Sequence, residues 1–454
     1  MTALSLVLVA LVLGSAVAGP PSPSVVTPRV DYVAQLNALI RQGEDESLNA
    51  EPYYRQALES CVELSGTLDN IERWWPTQSP PEQQATARKW VEANVQALGR
   101  LELGARKPRY WFQYQGQRIA DFDQARLIRQ AQILFTALVV RMRLRAADGD
   151  VTGAVDDLLL CYRFGSDMKS RPLMTDQLLG VAIQAQSLRT GFQILGRTKV
   201  SRELRDTLQT RLAALSKDQD FIIDLRGDEL AALDTLQTVY AKLPANYKDF
   251  DVNSVDLAQR QRMDKAAVEV SRILKLDLTT QEFLASVTSD PPDQLAQKVR
   301  MCYAYYDMVR TKTPWQWRRE YIDFFADVRD IIGGNLLLYA LVPAVQQQAQ
   351  ICARGRATRD ALMATLAILK YRDDKGALPD DLETLVSAGY LPGLPMDPYS
   401  DKPLIYRRTD GDFTLYSRAL NCRDNGGKPS NWGQDLVDGD QVFWPIQQSA
   451  TNNQ

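Results

Sequence analysis

The sequence predicts a mainly α protein: a multi-helix body followed by a small α+β C-terminal domain with a short antiparallel sheet. Two observations carry this. Apolar residues recur with helical spacing from about residue 30 to residue 372. Beyond that, Leu404-Ile405-Tyr406-Arg407 and Phe413-Thr414-Leu415-Tyr416-Ser417 read as strands, and Asp410-Gly411 between them is a hairpin signal. At 454 residues, with 45% hydrophobic and 24% charged, the chain is globular in profile and long enough for two or three domains.

The elements divide the chain as follows. Residues 1–18 read as a signal peptide or membrane anchor, 19–29 as a Pro- and Ser-rich linker, and 30–355 as the helical domain. Residues 356–445 form the α+β domain, and 446–454 a disordered polar tail. Leu4 to Ala18 has the length of a secretory h-region, Ala16-Val17-Ala18 is a cleavage pattern, and Gly19-Pro20-Pro21 stops any helix. No Lys or Arg precedes the apolar run, which departs from the usual signal, and no cysteine follows it as in a lipoprotein. The run is short for a membrane span, which needs about 20 residues. The expectation is therefore an exported protein of the periplasm or cell envelope, with membrane contact only if residues 4–18 stay attached.

In the body, Leu127, Ile128, Ala131, Leu134, Phe135 and Leu138 share one helical face, and Asp123 is placed to cap it. After the turn Asp148-Gly149-Asp150, the pattern returns at Val151, Ala154, Val155, Leu158, Leu159 and Tyr162. Arg171-Pro172 is expected to open a third helix through Leu178, Leu179, Ala182 and Ile183. Short turns make this an antiparallel three-helix unit. Trp75 to Pro81 reads as a loop. Arg106 to Tyr114, aromatic and basic, reads as a loop or short strand over the helical core, with a binding surface the alternative. Ile331 to Val345 is too short to span a membrane and is expected to be a buried helix; Tyr303, Tyr305 and Tyr306 are expected in the core. A last helix is expected from Ala357 to Arg372, ended near Gly376, and a short one from Leu378-Pro379-Asp380-Asp381.

Composition restricts the chemistry. A formal net charge of −3 leaves no basic excess for nucleic acid. The chain has no histidine, which removes Ser-His-Asp and Cys-His nucleophile systems and His-ligated metals. Acid–base work would fall to carboxylates, Lys or Tyr. Asp224, Asp228 and Glu229 around Gly227 are the most concentrated acids, and Arg226 beside them makes a surface ion pair the plainer account. Cys61, Cys161, Cys302, Cys352 and Cys422 contain no CxxC pair; one or two disulfides fit an oxidising compartment, with pairing left open.

The C-terminal order carries a resemblance. Gly376-Ala377-Leu378-Pro379, Leu382 and Leu385 follow a helix; then come Met396-Asp397-Pro398-Tyr399, Tyr406, and Gly411-Asp412-Phe413-Thr414-Leu415-Tyr416-Ser417. Asn421-Cys422-Arg423-Asp424-Asn425-Gly426-Gly427, Asp438-Gly439-Asp440 and Trp444-Pro445 complete the set. This stretch resembles the globular head of the major pseudopilin of type II secretion systems. The helical body is similar to bacterial envelope proteins that carry such a tail. The N-terminus departs from a pseudopilin: it lacks the basic leader, the Gly-Phe cleavage site and the long apolar helix with its early Glu, so the resemblance implies a terminal module and not a polymerising pilin.

The resemblance implies a calcium site: the Arg418 carbonyl, the Asn421 side chain, and Asp438 or Asp440. The residues agree in kind, since calcium takes roughly six to eight oxygens and the tail supplies Asn421, Asp424, Asn425, Asp435, Asp438 and Asp440. Asn421 stands where a carboxylate is usual, which lowers ligand charge. The expected function is a non-enzymatic exported envelope protein, a helical interaction scaffold with a calcium-binding module and an envelope protein as partner. A type II secretion accessory protein and a carboxylate-dependent glycan-acting enzyme are the alternatives.

Overall fold

The computed structural model describes residues 29–40, 45–65, 68, 74–217, 220–244, 247–249, 257–274, 278–430 and 438–446. The signal or anchor segment, nearly all of the linker, Asp435 and the tail beyond residue 446 lie outside the described residues. Among those described, no helix is long and apolar enough to cross a membrane.

Helix α1 (Tyr32–Ala38) starts where Asp31 accepts a hydrogen bond from the Ala34 amide. Helix α2 (Glu51–Ser60) packs on α4 (Val95–Ala105), which α3 (Pro81–Ala93) precedes. A Cβ on Gly104 would sit 2.5 Å from the Tyr54 ring, so only glycine lets α4 approach α2 this closely. Buried Asn94 joins α3 to α4 and bonds both backbone groups of Val62 at 2.8 and 3.0 Å.

Next come α5 (Gln124–Ala147), α6 (Val151–Lys169) and α7 (Met174–Arg197), packed in sequence as the turn spacing predicts. Asp123 and Asp150 cap α5 and α6, and Gly149 turns the chain at φ +90°. Helices α6 and α7 meet at bare backbone. A Cβ on Gly165 would be 2.7 Å from the Gly180 carbonyl, and one on Gly180 would be 2.4 Å from that of Gly165. The third helix begins at Met174, not at Arg171-Pro172 as expected. Pro172 donates no N–H, and the α7 start is satisfied from outside, where the Asp228 carboxylate accepts the Met174 amide at 2.7 Å.

The body continues through α8 (Arg202–Leu215), α9 (Arg226–Ala241), α10 (Leu257–Leu274), α11 (Thr280–Thr288) and α12 (Pro292–Val309). It ends with α13 (Pro314–Arg319), α14 (Phe324–Ile332) and α15 (Leu336–Leu341). The single helix expected over Ile331 to Val345 is therefore two pieces. Gly333 and Gly334, at φ +67° and +80°, stop α14, and Asn335 caps α15. The segment is largely buried as expected: Ile332, Leu337, Leu338 and Val345 join the core. Tyr303 and Tyr306 are also buried and donate to the carbonyls of Leu341 and Pro343. Tyr305 is only half-buried, its hydroxyl on Asp327.

Helix α16 (Gln346–Lys375) starts well before the expected Ala357. Its Gln- and Arg-rich first turns hide the apolar period, yet Gln348, Cys352 and Gly355 face inward. It packs on α7, on α8 and on the sheet, so it crosses the expected boundary at residue 355 without a break. Gly376 ends it at φ +71°. Then follow α17 (Leu382–Ser387), β1 (Ile405–Arg408), β2 (Phe413–Ser417) and β3 (Gln441–Trp444), an antiparallel sheet of order β1-β2-β3. Gly411 makes the hairpin at φ +80°. Phe413, Leu415 and Trp444 belong to the same buried cluster as Leu158 and Leu362, so body and sheet share one core. All five cysteines are free thiols, and Cys161, Cys302 and Cys352 are buried.

Candidate functional site

The C-terminal loop is built on two anchors. The first is Asp397, which is buried. Its carboxylate accepts from the Tyr399 amide at 3.0 Å, the Ser417 hydroxyl at 2.8 Å and the Arg418 amide at 3.0 Å. The Asp-Pro-Tyr turn is thereby tied to the end of β2. Burial raises the Asp397 pKa, and these three donors act against the rise. The second anchor is Asp440, fully buried, whose carboxylate accepts from the amides of Asn425 at 3.1 Å and Gly427 at 2.7 Å. Burial raises its pKa, and those two N–H groups offset part of the effect. Gly439, at φ +91°, has the Pro429 carbonyl 2.7 Å from where a Cβ would stand, so the two strands of the loop close on glycine.

Between the anchors, the backbone turns through Ala419 and Cys422 at φ +54° and +57°, a region that L side chains rarely occupy. That path brings Asn421 beside Asn425 and Asp438. The Asn421 amide nitrogen donates to Asn425 Oδ1 at 2.7 Å and to Asp438 Oδ1 at 3.1 Å, and the Asn425 amide nitrogen donates to the same Asp438 oxygen at 3.3 Å. Asn421 Oδ1 accepts the Arg423 amide at 2.9 Å. From the body, Arg318 donates to the Asn421 carbonyl at 2.9 Å.

Of Arg418, Asn421, Asp424, Asp438 and Asp440, which the sequence offered as ligands, Asn421 and Asp438 touch. Asp440 sits behind Asn425 and holds the loop backbone. Asp424 faces away: it accepts from the Tyr416 hydroxyl at 2.9 Å, the Gly426 amide at 2.8 Å and Arg407 at 2.9 Å. Burial would raise the Asp424 pKa, but these partners together hold it below the usual carboxylate range. Arg418 is fixed through its amide on Asp397. Asn425, which the sequence offered only as one of several oxygen-bearing residues of the tail, bonds both Asn421 and Asp438.

The donor chemistry fits calcium in kind. Asp438, Asp440, Asn421 and Asn425 bring carboxylate and amide oxygens to one loop, the hard ligands that the ion takes. Among the described residues no group of three or more Cys, Asp or Glu gathers as a metal site, so any ion here would rely on amides and carbonyls. A half-turn of each Asn side chain exchanges its nitrogen for its oxygen. The two groups that now donate to Asp438 would then offer lone pairs beside it.

The acids proposed for catalysis are engaged by structural partners, and Glu229 beside them is half-buried. Asp224 pairs with Arg226 at 2.9 Å, and Asp228 caps α7 through Met174. Burial pushes the Asp228 carboxyl up to about 8, which suits a neutral acceptor locked between two helices. Gly227 lies against the Pro172 carbonyl, 2.2 Å from where a Cβ would be, so the start of α9 packs directly on the turn before α7. No protein-family model, curated protein or solved structure matches this chain.

Proposed function

We propose that the chain is a non-enzymatic protein of the bacterial envelope. Its helical body is an interaction scaffold, and its C-terminal module takes calcium at Asp438, Asn421 and Asn425, with Asp440 bracing the loop. The observation that carries this reading is the meeting of two amide groups on one Asp438 oxygen. The ordered pseudopilin-like motifs and the apolar N-terminal segment support the address. In this account Asn421 and Asn425 turn their oxygens inward, and the loop over residues 421–430 tightens against residues 438–440. Because Arg318 of α13 holds the Asn421 carbonyl, a stiffened loop also stiffens its contact with the body.

Fractionation of bacteria expressing the full chain tests the address, and affinity capture from envelope extracts with calcium or chelator tests the role. Recovery in the envelope, with a partner retained more strongly in calcium, is expected. A cytoplasmic protein that retains the same partners with or without calcium would overturn the proposal.

A further inference from the structure

A groove of about 530 Å³ opens on the opposite part of the sequence, between α2 and the start of α5. This is within the range of small-molecule sites, roughly 300–1,000 Å³. Its floor is the extended segment after α4, which hydrogen-bonds alongside the chain before α2: the Ala50 amide donates to the Arg109 carbonyl at 2.9 Å, and the Arg109 amide to the Leu48 carbonyl at 3.3 Å. Tyr110 and Phe112 of that segment are half-buried and line the groove.

Beneath them lies Arg171, 4% exposed. Its guanidinium stacks 3.9 Å from the Phe112 ring centre, bonds Asp176 at 2.9 Å, and leaves Nη2 without a hydrogen-bond partner among the described residues. The walls also hold polar groups with no internal use. Glu59 on the α2 side, and Arg126 and Gln130 on the α5 side, have side chains free of ion pairs and hydrogen bonds to other described residues.

We infer that this groove binds an uncharged carbohydrate chain. A ligand of either charge meets a penalty in it. An anion would face Glu46, Glu51, Glu59, Asp121 and Asp123, and a cation would face Arg55, Arg126 and the buried Arg171. A neutral polyol avoids both. Its hydroxyls each donate and accept, which suits a carboxylate on one wall and a guanidinium and amide on the other. The C–H faces of its rings would rest on Tyr110 and Phe112, amphipathic partners on an ordered support. Glu51 is held to Arg55 at 3.2 Å. The inference is one of binding and includes no bond cleavage. It is independent of the calcium loop, so either can fail alone.

The test is tryptophan fluorescence, since Trp111 lines the groove, with the full chain titrated separately with cellotetraose, maltotetraose, tetra-N-acetylchitotetraose and, as a charged comparison, tetralysine. Saturation by at least one tetrasaccharide is expected, about tenfold weaker in Glu59→Gln and in Phe112→Ala. Glu59→Gln removes an exposed charge and leaves the fold intact, so it remains informative if Phe112→Ala does not fold. No saturation by any of the three sugars up to about 10 mM, well above a weak millimolar Kd, would overturn the inference. So would saturation by tetralysine alone, or sugar binding that Glu59→Gln leaves unchanged.

Discussion

Phe443 of β3 stacks on Phe192 of α7, with ring centres 6.0 Å apart and planes 20° from parallel. This contact, with the unbroken α16, makes the C-terminal sheet part of the body's core. Phe443→Ala should therefore destabilise the whole chain, by about 3 kcal/mol for a buried Phe. Urea unfolding followed by helical circular dichroism checks it. Most of the helix lies in the body, so its midpoint should fall; an unmoved midpoint would mean that the two parts unfold separately.

The α6–α7 contact is the least tolerant place in the body. Gly180→Ala puts a Cβ 2.4 Å from the Gly165 carbonyl, which is backbone and cannot rotate away. Overpacking of this kind costs roughly 1–3 kcal/mol or more. Gly393→Ala, with open space around it, is the control and should change the denaturation midpoint little.

Asp228 gives a pH dependence with a definite sign. An Asp in the unfolded chain titrates near ~3.9, whereas burial lifts Asp228 to about 8. Between those values the folded chain keeps a proton that the unfolded chain has released, so stability falls as pH rises. The contribution is complete at low pH and gone above the folded value. Asp228→Asn keeps an oxygen for the Met174 amide and removes the titration. From pH 5 to 8 the variant should gain on the wild type by roughly 1 kcal/mol per pH unit, read from urea midpoints at several pH values. Parallel curves would contradict the assignment.

Asp397 should be the costliest acid of the C-terminal module. Asp397→Ala strands the amides of Tyr399 and Arg418 and the Ser417 hydroxyl, and each stranded buried group costs about 1–3 kcal/mol. Asp397→Asn retains acceptor capacity on one oxygen and should lose less. Equal losses in the two variants, measured by thermal unfolding, would mean that the carboxylate geometry matters less than the structure indicates.

Much of this fold could be read from the chain. The α5–α6–α7 unit followed from Asp123, Asp150 and the apolar period, and the β1–β2 hairpin from Asp410-Gly411. The start of α16 was hidden because Gln346 to Arg356 is polar in letter, though Gln348 is buried in fact. Local pattern could not show that Asp228 caps a helix more than fifty residues away in sequence, because that bond depends on tertiary packing. In the C-terminal loop the residue types were visible, but Asn425 was not singled out. Its place beside Asp438 depends on the positive φ of Ala419 and Cys422, a strained path that no propensity predicts. The groove over Arg171 was visible only as an aromatic run, since its walls come from helices far apart in sequence.

Calorimetric titration of the full chain with calcium chloride decides whether the loop over Asn421, Asn425 and Asp438 takes the ion. Saturable binding, abolished in Asp438→Ala, is expected, with a stabilisation of about 2.7 kcal/mol at one hundred times Kd. No heat of binding in a folded wild-type chain, or equal binding in Asp438→Ala, would contradict it.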